Sequence, residues 1–400
     1  MEEEQPHDFT PPDEAKPSWE TDFGQNSFAA PEPPAAPLEP PSPVAEEPSF
    51  FTSDATPPPV FPPEDITADA ASAHPKPERA PMALPGWLKS MSLGGLLRWA
   101  LGLSLLGWVY TNCHPDLPTG LLAERYAFPE SKFVPVEGMD VHCRMIGRGE
   151  TLLLLHDANS SMHTWSGWAA ELAPKYRLIS VDLPGFGLTG PHPQGSYSTF
   201  MYHAFLDSLV HQLRLSKFHL AGNGLGAEIA WFYAAERPAG LDKLILLDAP
   251  GLEHHSAAEG WVNWLARTPV LNRVLWSVTP RSYVRLMLED IYADDAQVTD
   301  SLVQRHFDLL LAPGNRHAFT DRASVSDNRP PAGLVDSIST PTLILWGAED
   351  TRISPEHAYE YHQRIRGALL RIYQNTGHWP QEENPVKTAR DVEAFLEGKF

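Results

Sequence analysis

Cysteine is almost absent: Cys113 and Cys143 are the only two in 400 residues, which excludes a disulfide scaffold and a cysteine-based zinc site. Positive charge is scarce as well. The chain carries 30 Lys and Arg against 51 Asp and Glu, a formal net charge of −21, so it lacks the basic footprint that a nucleic-acid partner requires. Nothing in the motifs calls for a cofactor or a metal. A cleavable leader is not expected either, because nearly 90 mostly polar residues precede the first long apolar stretch.

What is present falls into three parts. Residues 1–90 hold 21 of the 40 prolines and 17 acidic against 4 basic residues, so they carry −13 of the net charge. With few aliphatic side chains to bury, such a segment cannot offset its chain entropy and is expected to be a disordered acidic arm. The arm reads as a solvated tether or as a docking tail for a protein partner with a basic or proline-recognising surface. Residues 92–110 are almost uniformly apolar and reach roughly 28 Å as a helix, close to the hydrocarbon thickness of a bilayer. A single transmembrane helix is expected, with Trp87, Trp108 and Tyr110 at the interfaces and Arg98 snorkelling outward; a helix packed on the folded domain is the alternative. Arg79, Lys89 and Arg98 precede or enter the stretch, which favours a cytoplasmic N-terminus and places the folded domain outside the cytoplasm. Both cysteines follow the span. Cys143 sits in an alternating pattern with Val141 and Met145 and is expected to be a buried small side chain rather than a disulfide partner.

From about residue 130 the pattern alternates. Strands are expected near 132–136, 140–146, 151–155, 176–181, 217–221 and 243–248, with helices over 163–173, 199–214 and 225–236. Continuous apolar strands alternating with helices imply a mainly parallel, doubly wound sheet covered on both faces. Residues 252–335 break the alternation with helical sequence containing Trp261, Trp264 and Trp276, expected either to line a cavity or to pack among themselves. Two further strands follow, Thr342 to Trp346 and Leu370 to Tyr373.

Motifs stand at the ends of these strands. His156-Asp157-Ala158 follows the third, Asp182-Leu183-Pro184-Gly185-Phe186-Gly187 the fourth, and Gly222-Asn223-Gly224-Leu225-Gly226 lies at a strand-to-helix turn. Gly347-Ala348-Glu349-Asp350 and Thr376-Gly377-His378-Trp379-Pro380 complete the set. Their order resembles the α/β-hydrolase superfamily over roughly 130–400, closest to the cap-bearing branch of esterases, C–C bond hydrolases, epoxide hydrolases and haloalkane dehalogenases. The resemblance implies an α/β-hydrolase fold with a helical cap inserted at about 252–335. It also implies a nucleophile elbow at residue 224, His378 as base and Asp350 as the acid orienting it, with Glu349 and Asp248 as rival acids. Backbone N–H groups of Ala158 and Leu225 would form the oxyanion hole, and His156, Asp157, Asn223 and Trp379 would line a pocket for a small hydrophobic substrate.

Two positions depart from that pattern. Gly224 stands where esterases carry Ser and dehalogenases Asp, so the elbow has no attacking atom. Asp157 stands where the family has Gly, and its carboxylate either opposes a developing oxyanion or turns away. Removing a serine nucleophile costs on the order of 10⁶ in turnover. Two outcomes stay open: a pseudoenzyme that keeps the pocket for binding or scaffolding, and a general-base site in which His378 activates water, with Ser160 and Ser161 as remote substitute nucleophiles. Restoring the hydroxyl with Gly224→Ser is expected to raise turnover, limited by Asp157. Residues 222–227 also fit G-x-G-x-x-A, with Asp248 ending the next strand as a ribose ligand would, but dinucleotide binding explains none of the other motifs.

Overall fold

A computed structural model of the chain describes residues 92–400 except 237, 251, 253–260 and 326–329. The expected acidic arm, residues 1–90, lies outside the described residues. The first element is α1, Leu93–Asn112, capped by the Ser92 hydroxyl, which accepts from the Gly95 N–H at 3.2 Å. It has a mean hydropathy of 1.3 and no buried residue. At about 1.5 Å per residue its 20 residues match the hydrocarbon thickness, so one helix here is long and apolar enough to cross a membrane. A short helix, α2 (Thr119–Tyr126), leads into the sheet.

Eight strands form that sheet: β1 (Ser131–Val136), β2 (Met139–Ile146), β3 (Thr151–Leu155), β4 (Arg177–Val181), β5 (Phe218–Asn223), β6 (Leu241–Leu247), β7 (Thr342–Gly347) and β8 (Leu369–Tyr373). Their spatial order is β1-β2-β4-β3-β5-β6-β7-β8, antiparallel at β1-β2-β4 and parallel from there on. The strand periodicity of two assigns each β3 residue to a side. Leu153 and Leu155 enter one core with Phe205 and Trp231, whereas Leu152 and Leu154 enter the other with Trp168 and Phe395. The first core is built by α4 (Thr199–Gln212) and α5 (Leu225–Ala235), the second by α3 (Ser166–Leu172) and α12 (Pro385–Leu396). α5 is buried from Leu225 through Ala234 and apolar around its circumference apart from Glu228, whose carboxylate accepts from Thr199 Oγ1.

Between β6 and β7 lie α6 (Trp261–Arg267), α7 (Arg281–Glu289), α8 (Asp300–Leu310) and α9 (Asn315–Val325), the place expected for the cap. Trp276 stacks on His317 at 4.1 Å and its Nε1 donates to Thr320 Oγ1, so this ring packs cap element on cap element. Trp264 is exposed. Three helices after β7, α10 (Glu356–Arg364), α11 (Pro380–Glu383) and α12, close the chain. Cys143 is buried and Cys113 exposed, both as free thiols.

Candidate active site

Four strand ends converge. Gly224, following β5, has φ 52° and ψ −117°, a left-handed conformation that only glycine adopts without strain. Its neighbours pack too tightly for any side chain: a Cβ on Gly222 would strike the Gly226 carbonyl, and one on Gly226 the Leu155 carbonyl. The tight elbow is therefore intact, and its helix α5 begins at Leu225. Beyond β7, Asp350 Oδ1 accepts from the N–H groups of Arg352 and Ile353, leaving Oδ2 2.8 Å from His378 Nδ1. Glu349 instead accepts from the Thr376 N–H. After β8, His378 is held at both backbone groups: its N–H donates to Ile291 and its carbonyl accepts from Asn223 Nδ2 at 3.0 Å.

Asp157 occupies the remaining place. Its carboxylate points into the site, with Oδ1 accepting from the Leu225 N–H at 2.8 Å. Oδ2 lies 3.2 Å from His378 Nε2 and 3.3 Å from Trp379 Nε1. A Cβ built on Gly224 would overlap Oδ1 and Cγ of this carboxylate. The side chain of Asp157 thus fills the volume of an elbow side chain and occupies one of the two expected oxyanion donors at once. The choice left open by the sequence is settled as inward, and the Leu225 N–H is engaged. Ala158, the other expected donor, is half-buried in the same turn.

The remaining expected residues have structural partners. His156 is fully buried; its Nδ1 lies 2.6 Å from the Asp157 carbonyl and its Nε2 accepts from the Leu183 N–H, so it fixes the loop that aims Asp157. Asn223 Oδ1 accepts from Gln381 Nε2, which also donates to Thr164. Ser161 lies against His163 Nδ1 at 3.0 Å. Gln381 was missed in the sequence, since nothing in its spacing distinguishes it. A cleft of about 300 Å³ opens nearby, lined by His163, Thr299, Ser301, Arg305, Gln381 and Glu382.

Electrostatics follow from this packing. Burial alone would pull the His378 imidazole down, but the charge of Asp350 and the hydrogen bonds to Asp157 and Asp350 raise it well above its ordinary value. Burial pushes the Asp157 carboxyl up, and the hydrogen bond and charge of His378 with the Leu225 N–H more than reverse that, holding it below the usual carboxylate range. Asp248, rival to Asp350, is fully buried and accepts from the Gly347 N–H. Burial and the Asp350 charge push its carboxyl well above the ordinary value, toward the neutral form. These shifts favour the charged forms of His378 and Asp157 and the neutral form of Asp248. Asp248, Asp350 and His378 offer atoms within 4.8 Å of one another, held there by the Asp350–His378 hydrogen bond and by the Gly347 N–H on Asp248.

The sign of the pH dependence follows. The raised imidazole contributes in full below its ordinary value of 6.5 and its contribution is lost as pH rises through the folded value. The depressed carboxyl contributes in full above 3.8 and is lost as pH falls through its own folded value. Both are complete between these limits. In a histidine ¹⁵N titration, His378 is expected to titrate above an ordinary imidazole and Asp157→Asn to lower its titration midpoint. A wild-type ring that titrates at or below the ordinary value would refute the direction given to this shift.

Comparison with known proteins places this geometry. A family model described as the alpha/beta hydrolase fold matches residues 150–385. A 2-hydroxy-6-oxononadienedioate/2-hydroxy-6-oxononatrienedioate hydrolase from Cupriavidus pinatubonensis is 27% identical over 293 residues, covering 66% of this chain and 95% of that protein. Among solved structures, a meta-cleavage product hydrolase from Pseudomonas fluorescens superposes with a TM-score of 0.59 at 22% identity, over 67% of this chain and 98% of that one. A bacterial membrane phospholipase A superposes with a TM-score of 0.58 at 23% identity, over 77% and 97%. With the elbow, the acid and the histidine at the ends of the matching strands, this chain belongs to the α/β-hydrolase fold family.

Proposed function

We propose that this is a membrane-tethered member of the family whose site is closed by its own carboxylate, a pseudoenzyme in which the fold serves binding or scaffolding. The ancestral reaction is hydrolysis of an ester-type or related bond in a small hydrophobic substrate. The observation that carries this reading is the Asp157 carboxylate, bound at once to the Leu225 N–H and His378 Nε2. Acyl hydrolysis releases a carboxylate, and a product acid would seek the same donors. Asp157 is such a product permanently attached, at an effective concentration that a free ligand rarely matches. With the Asp157 carboxylate against its Nε2, His378 has no open nitrogen to accept a proton from water or from a hydroxyl, so the group that would start the chemistry is blocked together with the missing nucleophile.

The tether is α1, with the N-terminus in the cytoplasm and the folded domain outside it; the helix length and the likeness to a membrane phospholipase A support a membrane location. The acidic arm is left to a protein partner. The full-length protein in detergent is expected to give no covalent adduct with a fluorophosphonate probe. Its hydrolysis of short-chain aryl esters should be no faster than that of His378→Ala. An adduct on Ser160 or Ser161 would end this reading. Turnover that disappears in His378→Ala would establish the second one, in which Asp157 swings out and His378 activates water; the 2.8 Å contact with Asp350 favours it.

A further inference from the structure

The end of α1 does not leave the domain as a loose tether. Thr279 donates its N–H to the Asn112 carbonyl at 2.8 Å, His114 donates to Ser277 at 2.9 Å, and Cys113 bridges Val278 in antiparallel fashion. Arg316, itself buried, donates to the His114 carbonyl at 2.9 Å and pairs with Asp116, while the His114 ring stands edge-on to Phe307. The membrane-facing end of the helix is thus built into the cap at residues 277–279.

Immediately before that seam, the cap turns apolar side chains outward. Trp264 is 63% exposed, Val270 68%, Leu271 45% and Val274 47%. Scattered exposed aliphatics are ordinary, but four within eleven residues, leading straight into the seam, are not. Val270 also sits at φ 71°, a left-handed conformation that a branched side chain strongly disfavours. Strain there holds an aliphatic group where water gains nothing from it. Residues Leu271–Trp276 form a 3₁₀ turn, and at about 2 Å per residue Val274 lies within roughly 8 Å of the seam at Val278. That distance compares with the thickness of one headgroup layer. Arg273 is exposed beside them, its guanidinium 5.9 Å from the Trp276 ring, placed to reach lipid phosphates while its stem lies along apolar surface.

We infer that the cap is a second membrane contact: the Val270–Val274 knuckle and Trp264 are seated in the phospholipid interface beside the point where α1 leaves it. This rests on the reading of α1 as a membrane span. It adds that the cap is pinned against the bilayer beside α1 as well as through it.

Depth-resolved quenching tests it on the full chain reconstituted into phosphatidylcholine and phosphatidylglycerol vesicles, in a Cys113→Ser background. An environment-sensitive fluorophore is placed in turn at Val274→Cys, at Leu101→Cys within α1 and at Tyr359→Cys, exposed on α10. The label at 274 is expected to be quenched several-fold more by a shallow nitroxide lipid than by a deep one, that at 101 more by the deep one, and that at 359 by neither. Quenching at 101 with a water-exposed label at 274 overturns the cap contact and leaves the span standing. No quenching at 101 removes the span and the inference with it. A label at 274 shielded from water but insensitive to nitroxide lipid, with shielding that depends on protein density, would mean that a second copy covers the patch, and that also overturns it.

Discussion

Gly224→Ser alone is expected to give no esterase activity, whereas Asp157→Gly with Gly224→Ser is expected to raise aryl-ester turnover by roughly 10³-fold over wild type, or about 4 kcal/mol of barrier. The single change fails for a steric reason. The new Cβ falls on the Asp157 carboxylate, which must abandon the Leu225 N–H, Trp379 Nε1 and His378 together. Hydrogen bonds to a charged group are worth about 1.5–3 kcal/mol each, and the serine at φ 52° adds roughly 1–3 kcal/mol of strain. The single variant should therefore unfold at lower denaturant and stay inactive. Removing the carboxylate first vacates the elbow, frees the Leu225 N–H for an oxyanion and opens His378 Nε2, while lifting one of the two carboxylate influences that raise its imidazole. Full recovery of the ~10⁶ that a serine supplies is not expected, because residues that act as a unit give non-additive gains and the serine at φ 52° is strained. Burst release of product followed by a serine adduct would check the assignment. A gain in the single variant equal to that in the double would refute the role given to Asp157.

That result differs from what the sequence alone implies, and the difference has one cause. Spacing placed Gly224, Asp350 and His378 at the ends of their strands, because a turn motif after an apolar strand fixes where a side chain emerges. Strand limits agreed to within two residues for the same reason: β3 and β7 are buried on both faces and read as continuous apolar runs. The direction of the Asp157 side chain is not a local property. It depends on His156 tying the loop to Leu183 and on three donors from the start of α5 and the β8–α11 turn, contacts that join residues 27 to 222 positions apart in sequence. Gln381, which links Asn223 to Thr164, was invisible for the same reason. The upward shift of the Asp248 carboxyl was invisible too, because it comes from burial and from the Asp350 charge rather than from neighbours in sequence.

The two acids should separate in a double-mutant cycle. Asp248→Asn is expected to change unfolding free energy at pH 7 by no more than about 0.5 kcal/mol, because it replaces a carboxyl whose neutral form burial and the Asp350 charge already favour. The amide oxygen still accepts from the Gly347 N–H, and Asn tolerates the φ of 45° that Asp248 adopts. Asp350→Asn removes the charged partner of a buried imidazolium, a loss that commonly costs about 3–5 kcal/mol. Here the cost should be nearer 2 kcal/mol. Asp248 is held neutral by burial and by the Asp350 charge, and with that charge gone its carboxyl falls and it ionises toward His378. The two acids are thus a working ion and its reserve. With both replaced, no reserve remains, and the loss should reach about 4 kcal/mol, exceeding the sum of the single changes by more than 1 kcal/mol. Urea unfolding of the four proteins at pH 7 measures the cycle. Simple additivity would mean that Asp248 does not respond to Asp350, and a large loss in Asp248→Asn alone would mean that it is charged in the native protein.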